Sequence, residues 1–234
     1  REAAALVVTD DDYGSIVRGV RQGRVIFANL RKAMTYIIAV HVPIIGMALI
    51  PVLVADWPLA LLPLQIAFLE LIIDPACSII FEAEPADPRI MDDPPSGLGA
   101  PLVDRRMLVI AALQGVAVLI AVLLVYAWAV SSDRPDDIVR SITFVTLVLG
   151  NLALILVNRS WTLSAIGALR HRRNPTVLFT VGGALAVLTL LLTIPGLRTV
   201  FSLGPIGIVD GLVALVAALL AVTWFEAYKR FARR

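Results

Sequence analysis

Two carboxylates, Glu70 and Asp74, stand four residues apart in the apolar stretch FLELIIDPACS, residues 68–78, with Pro75 directly behind the second. On a helix that spacing puts both on one face, one turn apart. Like charges so placed repel unless a cation or a proton lies between them. Pro75 has no N–H, so the Leu71 carbonyl loses its helical donor, and Pro43 does the same to the Ala39 carbonyl two residues before His41. Glu70, Asp74 and the carbonyls of Leu71 and Ala39 form an oxygen-rich set of the kind that suits Ca²⁺, Mg²⁺ or Mn²⁺. The same proline predicts a helix kinked or locally unwound at Asp74–Pro75. His41 reads as a ligand, as a proton-exchanging neighbour or as a hydrogen-bonded packing residue. The plainer reading of the two carboxylates is an interhelical hydrogen-bonded pair. One polar residue would suffice for that, and a second carboxylate adds repulsion.

The elements that must position these groups are membrane spans. Of 234 residues, 59% are apolar and 16% charged, against about 45–50% and about 25% in an ordinary soluble domain. Six apolar stretches of about 20 residues, each long enough to cross roughly 30 Å of hydrocarbon, occupy 33–55, 58–81, 107–130, 139–157, 175–195 and 206–226. A carboxylate at such a depth is costly and faces a partner, water or a passing ion. The first two spans are joined only by DWP at 56–58, which predicts a tight antiparallel hairpin. Pro43 and Pro51 interrupt the first, and Pro63 and Pro75 the second. Glu70 and Asp74 are expected to point into the bundle toward His41. Spans three to five are nearly featureless beside this hairpin; their polar groups are Gln114, Thr143, Thr146, Asn151, Thr180 and Thr189.

Charge placement predicts the topology. Seventeen of the twenty Lys and Arg fall in 1–32, 82–106, 158–174 and 227–234. With those segments inside, both termini are cytoplasmic by the positive-inside rule. Trp57 and Trp128 then mark outer span ends, and Trp161 and Trp224 inner ones. The net charge of +2 comes mostly from the inside loops, so it reports topology and not nucleic-acid binding. Cys77 is the one cysteine, which excludes a disulfide or a Cys-only metal cluster within these residues.

Ahead of the first span, residues 3–8, AAALVV, read as a short buried strand ended by three aspartates. From Tyr13, apolar residues recur at helical spacing between Arg18, Arg21, Arg24, Arg31 and Lys32, and no proline interrupts 13–42. A continuous helix is expected, rising about 30 Å from the membrane as a stalk. The chain opens on Arg1 in such a run, which reads as the interior of something longer. The expected fold is therefore an all-α polytopic membrane protein. It has a cytoplasmic tail of a preceding domain at 1–12, a stalk at 13–32 and a hairpin with the cation site at 33–81. A cytoplasmic loop at 82–106, a four-helix region at 107–226 and a basic tail at 227–234 complete it.

The order DDDYGSIVRGVRQGR, then LLPLQIAFLELIIDP, then EPADPRIMDDPP resembles the carboxyl-terminal part of bacterial P-type cation-transporting ATPases of the calcium-pump-like class. The resemblance runs from the last strand of the phosphorylation domain through transmembrane helices five to ten. It implies that 1–12 belongs to the phosphorylation domain and that Asp74 falls on the helix-six aspartate, a cation ligand. Glu70 falls on a helix-six ligand position often held by asparagine, and His41 on a helix-five position that is often asparagine. A helix-five glutamate of two-site pumps aligns with Ile44, and the helix-eight acidic position lands near Leu147. These departures imply one cation site instead of two. DKTGT and GDGxND do not occur in these residues. The resemblance places the catalytic apparatus, with its ATP and Mg²⁺, in a preceding portion of the polypeptide holding actuator, nucleotide-binding and phosphorylation domains and helices one to four.

The expected function is the membrane part of an ATP-driven cation pump, with Ca²⁺ as the favoured transported ion and a proton or another divalent metal left open. The expected partners are the lipid bilayer, in a bacterial plasma membrane, and the preceding portion of the same chain, with no nucleic acid. The rival reading is a non-enzymatic secondary cation carrier or proton-coupled exchanger using the same carboxylates.

Overall fold

The computed structural model describes residues 12–54, 57–92, 101–171 and 174–231, with the isolated positions 2, 3, 7, 9 and 94, and only the backbone of 72–78 and 171. Among the described residues there are eight helices and no strand. The strand expected at 3–8 falls largely outside them.

The long helix expected from the proline-free stretch is present. Helix α1 runs unbroken over Tyr13–Leu53, 41 residues, about 60 Å at 1.5 Å per residue. Asp12 caps it: its carboxylate accepts from the Gly14 N–H at 2.8 Å and from Arg18 at 3.0 Å. Such a cap satisfies one of the orphan donors at a helix start. Pro43 and Pro51 lie inside the helix without ending it. Helix α2 spans Pro63–Glu82. Pro63 stands at its first position, where a missing N–H costs nothing, and the Gln65 amide oxygen accepts from the Leu62 N–H at 3.0 Å.

The unwinding expected at Asp74–Pro75 is not found, because the helical backbone continues through Pro75 to Glu82. One lost hydrogen bond is tolerated in a membrane helix when neighbouring helices shield the freed carbonyl.

Helices α3, Arg105–Ser131, α4, Asp136–Asn158, α6, Pro175–Thr193, and α8, Ile208–Phe231, match the four later apolar stretches. Two short helices, α5 at Ala165–His171 and α7 at Pro195–Val200, lie in the connections. Five helices, α1, α3, α4, α6 and α8, are long and apolar enough to cross a membrane. At 20 residues, α2 has the length of a sixth span.

Helix α4 is the central post. It is buried along nearly its whole length, with α1, α2, α3 and α8 packed around it. Its hydroxyls cost little there, because Thr143 and Thr146 donate back to the Val139 and Ile142 carbonyls at 2.8 and 2.7 Å. Asn158 and Gln114 of α3 exchange amide hydrogen bonds at 2.8 and 3.3 Å. Outer faces of α3, α6 and α8 present Leu113, Ile120, Leu124, Leu190, Leu219 and Leu220.

Helix α1 packs tightly on α3. A Cβ on Gly115 would lie 2.5 Å from the Ala39 carbonyl oxygen and 2.6 Å from Val42 Cβ. Gly46 answers from the other side, under Leu119. Small residues at such contacts let backbones approach closely. At the start of α3, Asp104 accepts from the Met107 N–H at 2.8 Å and pairs with Arg31 of α1. Those donors, the Met107 amide first, hold its carboxyl below the usual carboxylate range.

Candidate cation site

Helices α1 and α2 bring two of the expected residues together. His41 Nε2 lies 3.7 Å from Glu70 Oε2, both half-buried. The other ring nitrogen, Nδ1, is 2.7 Å from the Ile37 carbonyl one turn back. A carbonyl only accepts, so the hydrogen-bond network assigns the proton to Nδ1 and leaves Nε2 toward the carboxylate. A proton on Nε2 or on Glu70 makes that contact attractive; with neither, a lone pair faces an anion.

The other expected groups are arranged differently. The Ala39 carbonyl is turned toward α3 at Gly115, while His41 faces α2. Leu71 is exposed on α2. Asp74 occupies the next turn of the helical backbone from Glu70, and its side chain lies outside the described residues. Among the described residues no group of three His, Cys, Asp or Glu is placed to hold a metal ion.

A second set of groups, which no local sequence signal marks, holds the C-terminal end of α2. Glu84, just past α2, is fully buried, and so is Arg159 at the end of α4. Arg159 Nε donates to Glu84 Oε2 at 2.9 Å. Asn174, the N-cap of α6, donates to Glu84 Oε2 at 3.3 Å and to the Ile80 carbonyl at 3.2 Å. Asn29 of α1 donates to the Glu84 carbonyl at 2.8 Å. Four segments therefore meet on one carboxylate residue. Near the other end of α2, the Gln65 amide donates to the Phe201 carbonyl at 2.8 Å, and Arg140 reaches the Leu59 and Ser202 carbonyls at 3.4 and 2.7 Å. In the sequence, Arg159 counts only among the basic residues of 158–174, and Glu84 opens the stretch EPADPRIMDDPP. The available signal was their position, each within a residue or two of a span end.

A half-buried acid–imidazole pair in a helical hairpin, fastened at both ends, is where comparison with known proteins becomes decisive. Residues 58–231 match the family model described as cation transporting ATPase, C-terminus. The chain belongs to this family. It is 27% identical over 230 residues to Calcium-transporting ATPase 1 of Lactococcus lactis, covering 98% of the chain and 26% of that relative. It is 30% identical over 235 residues to the calcium-transporting ATPase of Bacillus subtilis, covering 96% and 25%. A human relative, calcium-transporting ATPase type 2C member 2, is 26% identical over 215 residues, covering 90% and 22%. The chain thus spans about a quarter of the length of these relatives. The resemblance to the carboxyl-terminal region of calcium-pump-like P-type ATPases stands, and with its apolar helices the chain is an integral multi-pass membrane protein.

Proposed function

We propose that this chain is the cation-carrying membrane part of an ATP-driven pump whose ATP-hydrolysing domains lie elsewhere in a longer polypeptide. The observation that carries the reading is Glu70 held against His41 across the α1–α2 hairpin, within a segment that matches calcium-transporting ATPases. Family membership favours the pump over the secondary carrier. Glu70 and Asp74 supply the negative charge, with the Leu71 carbonyl as a neutral oxygen. Ca²⁺ is the transported ion that fits a flexible oxygen set and the relatives' names. His41 balances Glu70 when no cation is there. Helix α1 carries motion from the cytoplasmic side to this pair, so the region's contribution is positioning and electrostatics. Six spans, with α2 as the sixth member and both ends cytoplasmic, complete the proposal.

The test is made in the full-length protein. Asp74→Asn abolishes Ca²⁺-dependent phosphorylation from ATP while ATP binding persists. Glu70→Gln raises the Ca²⁺ concentration needed by about tenfold, the loss of one charge-assisted contact. Normal transport by Asp74→Asn would make the carboxylates structural and end this reading.

A further inference from the structure

Helices α3 and α8 lie antiparallel and are fastened to each other at both ends. Arg134, just past α3, pairs with Asp210 in the first turn of α8. At the opposite end, Arg106 in the first turn of α3 donates to the Tyr228 hydroxyl at 2.8 Å. The first contact sets charge against charge, and the second sets a charge against a neutral oxygen. A guanidinium carries five N–H donors, and the Tyr228 hydroxyl takes one of them.

The carboxylates at this end are engaged elsewhere. Asp104 pairs with Arg31 and caps α3. Glu226 accepts from Lys229 at 2.7 Å and from the Ala165 N–H at 3.1 Å. Arg105, Arg106 and Arg230 are exposed, and none of them pairs with a carboxylate among the described residues. Next to this cationic end the two helices are apolar. Leu113 and Leu124 follow Arg106 by seven and eighteen residues, about two and five turns, which returns them to within about 20° of its face. Both are exposed. On α8, Leu220 and Phe231 are eleven residues apart, about three turns, and form a second exposed apolar stripe.

We propose that the α3–α8 groove binds an anionic phospholipid, with its phosphate on Arg106 and its acyl chains along Leu113, Leu124 and Leu220. The guanidinium fork matches phosphate oxygens, and Tyr228 is the positioning residue that fixes one arm of it. Arg105 and Arg230 add attraction from either side. A zwitterionic headgroup would bring a further cation to three unpaired ones, so net negative charge selects the lipid. The open apolar stripes select a lipid over a soluble anion, because a soluble anion leaves them uncovered. Under the topology proposed above, the lipid lies in the cytoplasmic leaflet.

The test titrates phosphatidylglycerol into detergent micelles of the full-length protein and follows the melting temperature. Phosphatidylcholine and inorganic phosphate serve as parallel probes. Phosphatidylglycerol should raise the melting temperature, and the other two should not. Arg106→Gln should need about fivefold more phosphatidylglycerol for half of the shift, and Arg105→Gln with Arg106→Gln about 25-fold more. Tyr228→Phe, which keeps the ring and loses the hydroxyl, falls between wild type and Arg106→Gln. Arg106→Lys, which keeps the charge and guards against misfolding of the first variant, retains most of the response. Arg89→Gln, in the loop after α2, stays at the wild-type response. The absence of a shift with phosphatidylglycerol, or an equal shift with phosphatidylcholine or inorganic phosphate, would overturn the proposal. A loss in Arg89→Gln as large as in Arg106→Gln would also overturn it, by showing diffuse surface charge in place of a site.

Discussion

Replacing Arg159 with methionine tests what holds the C-terminal end of α2. The guanidinium and the Glu84 carboxylate are both essentially out of solvent, 1% and 2% exposed. Arg159 makes one good charge-assisted bond, Nε to Oε2 at 2.9 Å, and a marginal one, Nη2 to Oε1 at 3.5 Å. Methionine matches much of the apolar volume but leaves the carboxylate with the Asn174 amide at 3.3 Å as its remaining side-chain donor among these contacts. Removing one partner of a buried ion pair costs about 3–5 kcal/mol, because the other charge stays buried. That is a large share of the roughly 5–15 kcal/mol that stabilises a typical protein. Adding Glu84→Gln removes the stranded charge and keeps an amide that bonds Asn174. The double variant should recover most of the loss, giving a coupling of about 2 kcal/mol or more. Unfolding of detergent-solubilised protein by heat or denaturant, on the wild type, both single variants and the double, measures all four corners. A single-variant loss under about 1 kcal/mol, or strict additivity, would refute the claim that this pair carries a buried charge.

Two further outcomes follow from the packing and the caps. Gly115→Ala should destabilise by about 1–3 kcal/mol, because its methyl meets the Ala39 carbonyl oxygen at 2.5 Å. Gly46→Ala should cost less, since its neighbour is the movable end of Leu119; thermal unfolding of the two variants side by side checks the order. Asp104→Ala should cost about 1 kcal/mol at pH 7 as a lost N-cap. Its folded carboxyl is held below the unfolded value, so the cap contributes fully above the unfolded carboxylate range and is lost as pH falls through the folded value. The wild-type advantage over Asp104→Ala should therefore shrink below about pH 4, read from unfolding curves across pH.

Legibility in the sequence was greatest where a property repeats along the chain. Each later span is a run of some twenty apolar residues, and α3, α4, α6 and α8 begin and end within a few residues of those runs, α8 extending furthest. The absence of proline over 13–42 marked the continuous α1. Proline misled in the other direction. Pro75 removes one hydrogen bond, and of the expected kink or unwinding the unwinding is absent, since the backbone stays helical to Glu82. For the candidate site, residue type marked Glu70 and His41, and their helices are neighbours across a connection, 54–62, longer than the expected DWP link. No local signal tells that Arg159 pairs with Glu84, 75 positions away. Nor does composition separate Asn151, which has no partner among the described residues, from Asn158, which has several. Both facts belong to the packing of distant segments.

The attachments also decide where movement in this region can be expressed. At its connecting end the hairpin is held by Tyr126 donating to the Pro58 carbonyl, Arg140 to the Leu59 carbonyl and Gln65 to the Phe201 carbonyl. At the C-terminal end of α2 the buried Glu84 ties α2 to α1, α4 and α6. Helix α2 is thus fastened near both ends, and Glu70 lies between the fastenings. Helix α1 touches α3 closely at Gly115 and Gly46, yet its first four turns are largely exposed. Under the proposed function, force arriving on that exposed length meets an α2 that cannot follow as a whole. A rod pinned against α3 near Ala39 tilts about that contact, and His41 lies two residues from it. Displacement then grows along α1 away from Ala39, so the 3.7 Å gap between His41 and Glu70, close to the pivot, changes least.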